Sequence, residues 1–531
     1  MRRWNGWGDE ANHMELKPEA RAFLEGTLGK ATPLRDAKLA DVIAKVPPSR
    51  LPEHPLVSTD AEVRVRHARG QSFPDWLAMR SGEFGFFPDG VASPTTSDEV
   101  RSLLEWAKEE DVVVIPYGGG TSVAGHINPE ASEKPVLTLS LARMNRLLHL
   151  DRQSQIATFG AGTQGPALEE QLAQHGYTLG HFPQSFELST VDGWVASRSS
   201  GQQSLRYGRI EQMFAGGTVE TPRGRLELPT FPASSAGPDL RETILGSEGR
   251  MGVLTEVKVR VTRRFEKETF QVVFMPSWQA GMDCVREAAQ RKLPLSMVRI
   301  SNAIETRTQL IIAGHKTAIR LLETYLSIRG AEEGKVMLTF GATGSRSQVD
   351  YAVREMLALC TRYDGVPTGT VLGKKWEENR FRSPYLRHGL WEEGYAVDTL
   401  ETATDWPNVP GMVDQVEAAI RHALEDEGEK VHVFTHLSHV YPQGSSCYTT
   451  YIFRNAPTYE ATYERWRRIK TAASKAIVAN HGTISHQHGV GIDHAPYLVH
   501  EKGELGMETL RAMVRHFDPD QRMNPGKLLR P

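Results

Sequence analysis

The 531 residues exceed what one hydrophobic core ordinarily holds, so two or three domains are expected, and 39% hydrophobic residues suffice to fill them. Lys+Arg 62 against Asp+Glu 65 leave a formal charge of -3, which removes the bulk electrostatic case for nucleic-acid binding and leaves any anion to be met locally. Cys284, Cys360 and Cys447 lie far apart with no CxxC pair, and no run approaches the roughly 20 apolar residues needed to span a bilayer. A disulfide framework, a thiolate metal site and a membrane-inserted chain are therefore not expected, and a reducing, cytoplasmic compartment fits the composition.

Residues 1–85 are Pro-punctuated ("KVPPSRLPEHP") with helical patches such as "PEARAFLEGTL", and read as a partly helical amino-terminal extension. In "TTSDEVRSLLEWAKEE", Thr96 and Glu99 carry a capping-box signature, and Val100, Leu103, Leu104 and Ala107 recur at helical spacing, which predicts an amphipathic helix ending near Glu110. "VVVI", "VLTLSL", "IATFGAG" and "MGVLTEVKVRV" read as strands interleaved with the helix-like "GPALEEQLAQHG", so residues 86–262 form one α+β domain. Residues 263–480 alternate strand-like runs ("TFQVVFMP", "KVMLTFGA") with helices ("SQVDYAVREMLALCTRY", "VDQVEAAIRHALEDEG"), a pattern that predicts an antiparallel sheet covered by helices. Residues 481–531 return to glycine and histidine in "HGTISHQHGVGIDH" before a last helix.

The stretch "IPYGGGTSVAGH" poses the functional question. Gly118, Gly119 and Gly120 admit backbone angles closed to other residues and let successive N–H groups converge on an anion such as a diphosphate. The spacing is not GxGxxG, and His126 stands where a P-loop needs lysine, so both common nucleotide motifs fail. A glycine-rich hairpin without a ligand is the plain alternative. Two further segments weigh against it: "HFPQSFELSTVDGWVASRSSGQQSLRYGRIEQM", rich in hydroxyl and small residues, and "ILGSEGRMGVLTEV", another tight glycine loop.

In this order the three segments resemble the flavin-binding domain of the vanillyl-alcohol oxidase family. The resemblance implies FAD held by Pro116, Gly118, Gly119, Gly120, Thr121, Ser122, His181, Ser185, Thr190, Gly193, Ser197, Glu248, Gly249 and Val253. Members that attach the flavin near the glycine loop use a histidine within it, whereas here the loop reads Gly120-Thr121-Ser122, so noncovalent FAD is expected. Within the family the segments "RRWNGWGD", "GYTLGHFPQSFELSTVDGWVASRSSG", "YLRHGLWEEGYAVDTLETATDW", "SHVYPQGSSCYTTYIF" and "ISHQHGVG" resemble the alkyldihydroxyacetonephosphate synthases, flavoenzymes of ether-lipid synthesis.

That branch implies exchange of the acyl chain of acyl-dihydroxyacetone phosphate for a long-chain fatty alcohol, with no net oxidation. By the same resemblance Arg387 and Arg299 bind substrate, while Tyr448, His486 and His488 carry acid/base work. A guanidinium grips phosphate oxygens through two donors, although a salt bridge is the commoner fate of an arginine. The alternation of Tyr448, Thr450 and Ile452 is equally compatible with an aromatic filling a core. The synthases carry three consecutive histidines where this chain has His486, Gln487 and His488, and glutamine cannot exchange a proton near neutral pH.

A 2-hydroxy-acid dehydrogenase of the same fold is the alternative activity. Its metal site, two histidines about seven residues apart plus an acid in an "EHG" segment, is broken here at Gln443 and Gln487, with His436 and His439 remaining as pocket groups, so no metal is expected. The expected partners are small lipid substrates, and a homodimer is allowed. "YERWRRIK", with Arg465, Arg467, Arg468 and Lys470 around Trp466, is a candidate for peripheral docking on anionic headgroups.

Noncovalent attachment has a direct check. Acid precipitation of the purified protein is expected to release all yellow colour into the supernatant, and a yellow washed pellet would overturn it.

Overall fold

The structure is a computed structural model describing residues 1–314 and 316–530. It is an α+β chain with three main sheets. A four-stranded sheet runs in the spatial order Val57–Ser58, Gly90–Ala92, Val136–Ser140, Val113–Tyr117, parallel among its last three strands. Beside it lies an antiparallel sheet in the order Leu147–Asp151, Ile156–Gly160, Val253–Arg260, Phe214–Thr221, Gly224–Leu228. The third sheet is antiparallel throughout and has seven strands: Val366–Pro367, Lys267–Met275, Val336–Gly344, Met297–Ser301, His432–Leu437, Gly444–Arg454 and Tyr395–Asp405.

The local signals translate directly. The helix Ser97–Glu109 starts at Thr96, whose Oγ1 accepts from the Glu99 backbone N–H, and it buries Val100, Leu103, Leu104 and Ala107. The reciprocal half of the cap differs from expectation. Glu99 Oε2 accepts from the backbone N–H and hydroxyl of Thr95, one residue earlier. The helices Trp278–Gln290, Arg346–Arg362, Val409–His422 and Tyr459–Ala479 cover the seven-stranded sheet. Val285, Met356, Met412 and Ile469 share one apolar cluster with Val298, Phe340 and Tyr451 from its strands.

The amino-terminal extension is structural cement. Its strand Val57–Ser58 joins the first sheet, Phe73 and Trp76 of the helix Phe73–Ser81 enter the core of the seven-stranded sheet, and Leu16, Ala20, Leu24 and Leu28 pack on Leu390, Tyr395 and Ile452. The carboxy-terminal residues 498–529 do the reverse: Leu498, Met507, Val514, Met523 and Leu528 pack in the core of the glycine-loop domain, and Met523 bridges to Val114. Both ends of the chain therefore lock the two halves around the space between them.

The basic stretch is not a free patch. Arg465 pairs with Glu427 and Glu429, Arg467 with Glu464, and Arg468 with Asp426 and Glu427. Trp466 is 5% exposed and donates from Nε1 to Asp398. Arg465, Arg467 and Arg468 are thus already met by carboxylates of a neighbouring turn and of their own helix, which leaves fewer free charges for docking on anionic headgroups. No described helix is long and apolar enough to cross a membrane. The three cysteines are free and buried, with Cys284 and Cys360 sulfurs 3.8 Å apart.

Candidate flavin and substrate site

A cavity of about 1100 Å³ lies between the domains. Strand Val113–Tyr117 delivers the glycine loop to one wall, where it runs against Leu188–Asp192 with no room for side chains. A Cβ at Gly118 would sit 2.3 Å from Thr190 Oγ1, and one at Gly119 would sit 2.0 Å from the Leu188 carbonyl oxygen. Gly120 adds a left-handed φ of +66°, and there a Cβ would meet the Tyr117 hydroxyl at 2.1 Å. The third loop closes the wall: Glu248 has φ 53°, uncommon for a residue with a side chain, and Gly249 (φ +75°) lies against Pro116.

Pro116, Gly118, Gly119, Gly120, Thr121, Ser122, Ser185, Thr190, Gly193, Ser197, Glu248, Gly249 and Val253 all line the cavity. Thr190 Oγ1, Asp192 Oδ1 and Ser200 Oγ on the same wall are buried without hydrogen-bond partners. Burial pushes the Asp192 carboxyl up to about 6. Unmet polar atoms behind a backbone cradle with no space for a Cβ fit a ligand rich in hydrogen-bonding groups and carrying a diphosphate, as FAD does.

His181 is the exception among the expected cofactor residues. It is fully buried, does not line the cavity, bonds through Nε2 to Ser199 Oγ at 2.7 Å and packs on Trp194. Burial, with Arg209 nearby, lowers it to about 3, so it is a neutral ring that sets the Ser199 hydroxyl on the cavity wall.

Tyr448, Arg299, Arg387 and His488 also line the cavity. Tyr448 stacks on His436 at 4.8 Å and lies edge-on to His488, with its hydroxyl 3.1 Å from Thr399 Oγ1. Burial raises its pKa, so the phenol keeps its proton at neutral pH. Arg299 is committed to Glu305 and to His436 Nδ1 at 3.0 Å. Burial opposes ionisation of Glu305, but His436 and Arg299 outweigh it and hold that carboxyl at about 2. Arg387 spends only Nη1, on the Gln71 carbonyl at 2.8 Å, and leaves Nε and Nη2 buried without partners. Its guanidinium lies over Trp76, 4.5 Å from the ring centroid, and burial lowers it to about 10, which leaves it cationic near neutral pH.

The loop Ser485–Gly489 divides the two histidines. Gln487 and His488 line the cavity, and His486 does not. His486 turns back to Glu401 (Nδ1 to Oε1, 3.0 Å), the Arg209 guanidinium (2.6 Å) and the Tyr441 hydroxyl (2.7 Å). The expected direct contact of His486 with substrate is therefore corrected: its two nitrogens are used up behind the wall.

Glu401, missing from the sequence-based expectations, joins the group. Its carboxylate reaches His486, His439 (3.5 Å) and His488 (4.0 Å). Burial works against its charge, yet His486 and His439 hold its pKa well below the ordinary value. Its only sequence signal is an acid inside the strand run "TLETA", opposite Tyr448 in register.

Glu401, His439 and His486 bring ligand atoms within 4.8 Å of one another, an arrangement able to hold a metal ion where none was expected. Arg209 argues against occupancy. A guanidinium can only donate, so His486 Nε2 accepts, and the ring proton sits on Nδ1 facing Glu401 where a metal would need a lone pair.

Comparison with known proteins agrees with this geometry. An FAD binding domain matches residues 88–228, and the C-terminal domain of FAD linked oxidases matches residues 265–528. The chain is 27% identical to an alkyldihydroxyacetonephosphate synthase of Trypanosoma brucei brucei and 28% identical to one of Dictyostelium discoideum. Each match covers 99% of this chain, with 92% and 93% of the relative's length. A solved alkyldihydroxyacetonephosphate synthase superposes with a TM-score of 0.84 at 25% identity, covering 99% of this chain and 98% of its own.

The cradle has a steric test. Gly119→Ala must displace a backbone carbonyl, and the purified variant is expected to carry little or no flavin while keeping its far-UV circular dichroism; full flavin content would show that the loop does not approach the ligand.

Proposed function

Since the chain belongs to the FAD-linked oxidases of the vanillyl-alcohol oxidase family, we propose that it exchanges the acyl chain of acyl-dihydroxyacetone phosphate for a long-chain fatty alcohol, releasing a fatty acid without net oxidation. The observation that carries the reading is Arg387, a shielded cation with two uncommitted nitrogens, lining the same cavity as Tyr448 and His488. A phosphate there would meet a fork of donors in low dielectric, where charge-assisted bonds are strong. From the same cavity Leu16, Ala20, Ile312, Leu390, Phe434 and Ile452 offer an apolar lining suited to a hydrocarbon chain. The names of the two relatives and of the superposable structure support the same reaction.

FAD, when bound, supplies a ring nitrogen able to hold the substrate carbon between departure of the acid and arrival of the alcohol. The chain's residues do the rest. Burial lowers His488, so it is a neutral imidazole able to accept the proton next to the substrate ketone, and Glu401 at 4.0 Å stabilises the charge it gains. Tyr448, protonated and lining the cavity, would turn the proton it now donates to Thr399 Oγ1 toward negative charge developing on substrate oxygen. Arg299, neutralised by Glu305, orients His436 and through it the Tyr448 ring, and contributes less net charge to the phosphate than Arg387. Gln487 lines the cavity with its Oε1 buried and without a hydrogen-bond partner, and it takes no part in proton transfer. The flavin is held noncovalently.

One cuvette tests the class. Under anaerobic conditions acyl-dihydroxyacetone phosphate is expected to bleach or shift the flavin spectrum, and a long-chain alcohol to restore it, with no oxygen or dye consumed. Silence toward that substrate, with acceptor-dependent turnover of D-lactate or a longer 2-hydroxy acid, would assign a dehydrogenase. Arg387→Lys keeps charge but loses the fork, and a charge-assisted hydrogen bond of about 1.5–3 kcal/mol corresponds to a rise in KM of roughly tenfold to hundredfold. Normal substrate binding with lost flavin would refute the phosphate role.

A further inference from the structure

The glycine loop ends in a second charged unit outside the acid/base wall. Ser122 and His126 both line the cavity, on the side of the diphosphate cradle. The Ser122 hydroxyl oxygen lies within hydrogen-bond reach of His126 Nδ1 and accepts from the His126 backbone N–H at 3.0 Å. The other ring nitrogen, Nε2, is 3.1 Å from Glu248 Oε1. Glu248 is fixed in turn: its carboxylate accepts from the backbone N–H groups of Val490 and Gly491, and Asn524 Nδ2 bonds both the Glu248 and the His126 carbonyl oxygens. A Cβ at Gly489 would sit 2.6 Å from His126 Nε2 and 2.9 Å from Glu248 Oε1, so the pair needs glycine at that position.

We propose that Ser122, His126 and Glu248 form a proton-linked clamp on the FAD diphosphate, in which the charge of His126 decides whether the Ser122 hydroxyl is free to donate to the diphosphate. The logic is hydrogen-bond bookkeeping at one oxygen. With His126 doubly protonated, the ring is paired as a cation with Glu248, 3.1 Å from Nε2, and Nδ1–H donates to Ser122 Oγ. That oxygen is then saturated as an acceptor, and its own O–H is directed to the cavity, where it donates to a phosphate oxygen. With His126 neutral and its proton on Nε2, the serine O–H is drawn to Nδ1, the oxygen still accepts from the backbone N–H groups of His126 at 3.0 Å and Ala124 at 3.4 Å, and the anion is left without that donor. The same loss removes a positive charge from beside the cradle. Binding the diphosphate and holding the second proton therefore reinforce each other.

The surroundings favour the charged ring. Burial opposes protonation, but Glu248 foremost, then Asp493 and Asp75, raise the His126 pKa above its ordinary value. His488 and His494 also face it, and both are lowered by burial. Lys470 acts on Asp493 and the two histidines rather than on His126 directly. For a group raised in this way the contribution to flavin binding is complete below its free-state value and fades as pH rises through the raised one. The inference rests on FAD binding alone and is independent of which reaction the flavin serves.

The experiment follows the holoprotein. FAD release after dilution into a fixed mild guanidinium concentration is read by the growth of free-flavin fluorescence from pH 6 to 9. Release is expected to accelerate above the His126 pKa, by up to tenfold per pH unit, the limit for one linked proton. His126→Gln should release FAD fast and independently of pH. Ser122→Ala leaves the imidazole in place and should likewise lose most of the dependence, which a purely structural histidine would not cause. A flat profile in the native protein, or an unchanged slope in either variant, would overturn the proposal.

Discussion

The site depends on one contact between two stretches of backbone. Gly118 and Gly119 lie so close to the Thr190 and Asp192 side chains and the Leu188 carbonyl that the loop can carry no side chain there. That contact positions the end of strand Val113–Tyr117 relative to the helix Val191–Ser197, and with them the unmet Thr190 and Asp192 oxygens. Glu248 locks the same wall to the carboxy-terminal loop through Val490 and Gly491. A ligand that takes up these polar atoms removes a desolvation cost that the flavin-free wall bears, so binding the cofactor and stabilising the fold are two views of one event.

Across the cavity the organising principle is charge inside low dielectric. Glu401 and Glu305 are buried acids kept ionised by histidine and arginine neighbours, and His486, its pKa lowered by burial to about 4, stays neutral. The signs agree. Carboxylates with depressed pKa values and a histidine with a depressed pKa all contribute stability that is lost as pH falls, the histidine through the interval from its unfolded value of about 6.5 to about 4 and the acids below that. Two ionised acids behind the wall also mean that a proton gained by His488 finds a compensating charge already present, with no reorganisation of water.

The fold was largely legible because its signals are local. The Thr96 cap, the 3.6-residue period of Val100, Leu103, Leu104 and Ala107, and the apolar strand runs depend only on near neighbours. The cavity residues of the glycine loop were legible for the same reason, since three glycines in a row have few structural excuses. What escaped depended on distant partners. Glu401 matters because the register Glu401 to Tyr448 places it beside a loop reaching in from residue 486. His486 and His488 sit in a segment without period, so nothing nearby in sequence tells which ring faces the cavity. Arg465 and Arg468 looked free because their partners, Asp426, Glu427 and Glu429, lie on another turn.

The two chain ends give the architecture a temporal consequence. The cavity wall includes Trp7, Met14 and Leu16 near the start and Asn524 near the end, and Arg2 donates to the Gly119 carbonyl oxygen of the cradle itself. A ribosome still holding the last residues holds back Asn524, which ties His126 to Glu248. The flavin-binding wall thus reaches its final form only once Asn524 has folded back onto His126 and Glu248, so the cofactor meets both domains rather than a nascent amino-terminal one. Changes at Arg2 act directly on the cradle, because that guanidinium already donates to the Gly119 carbonyl.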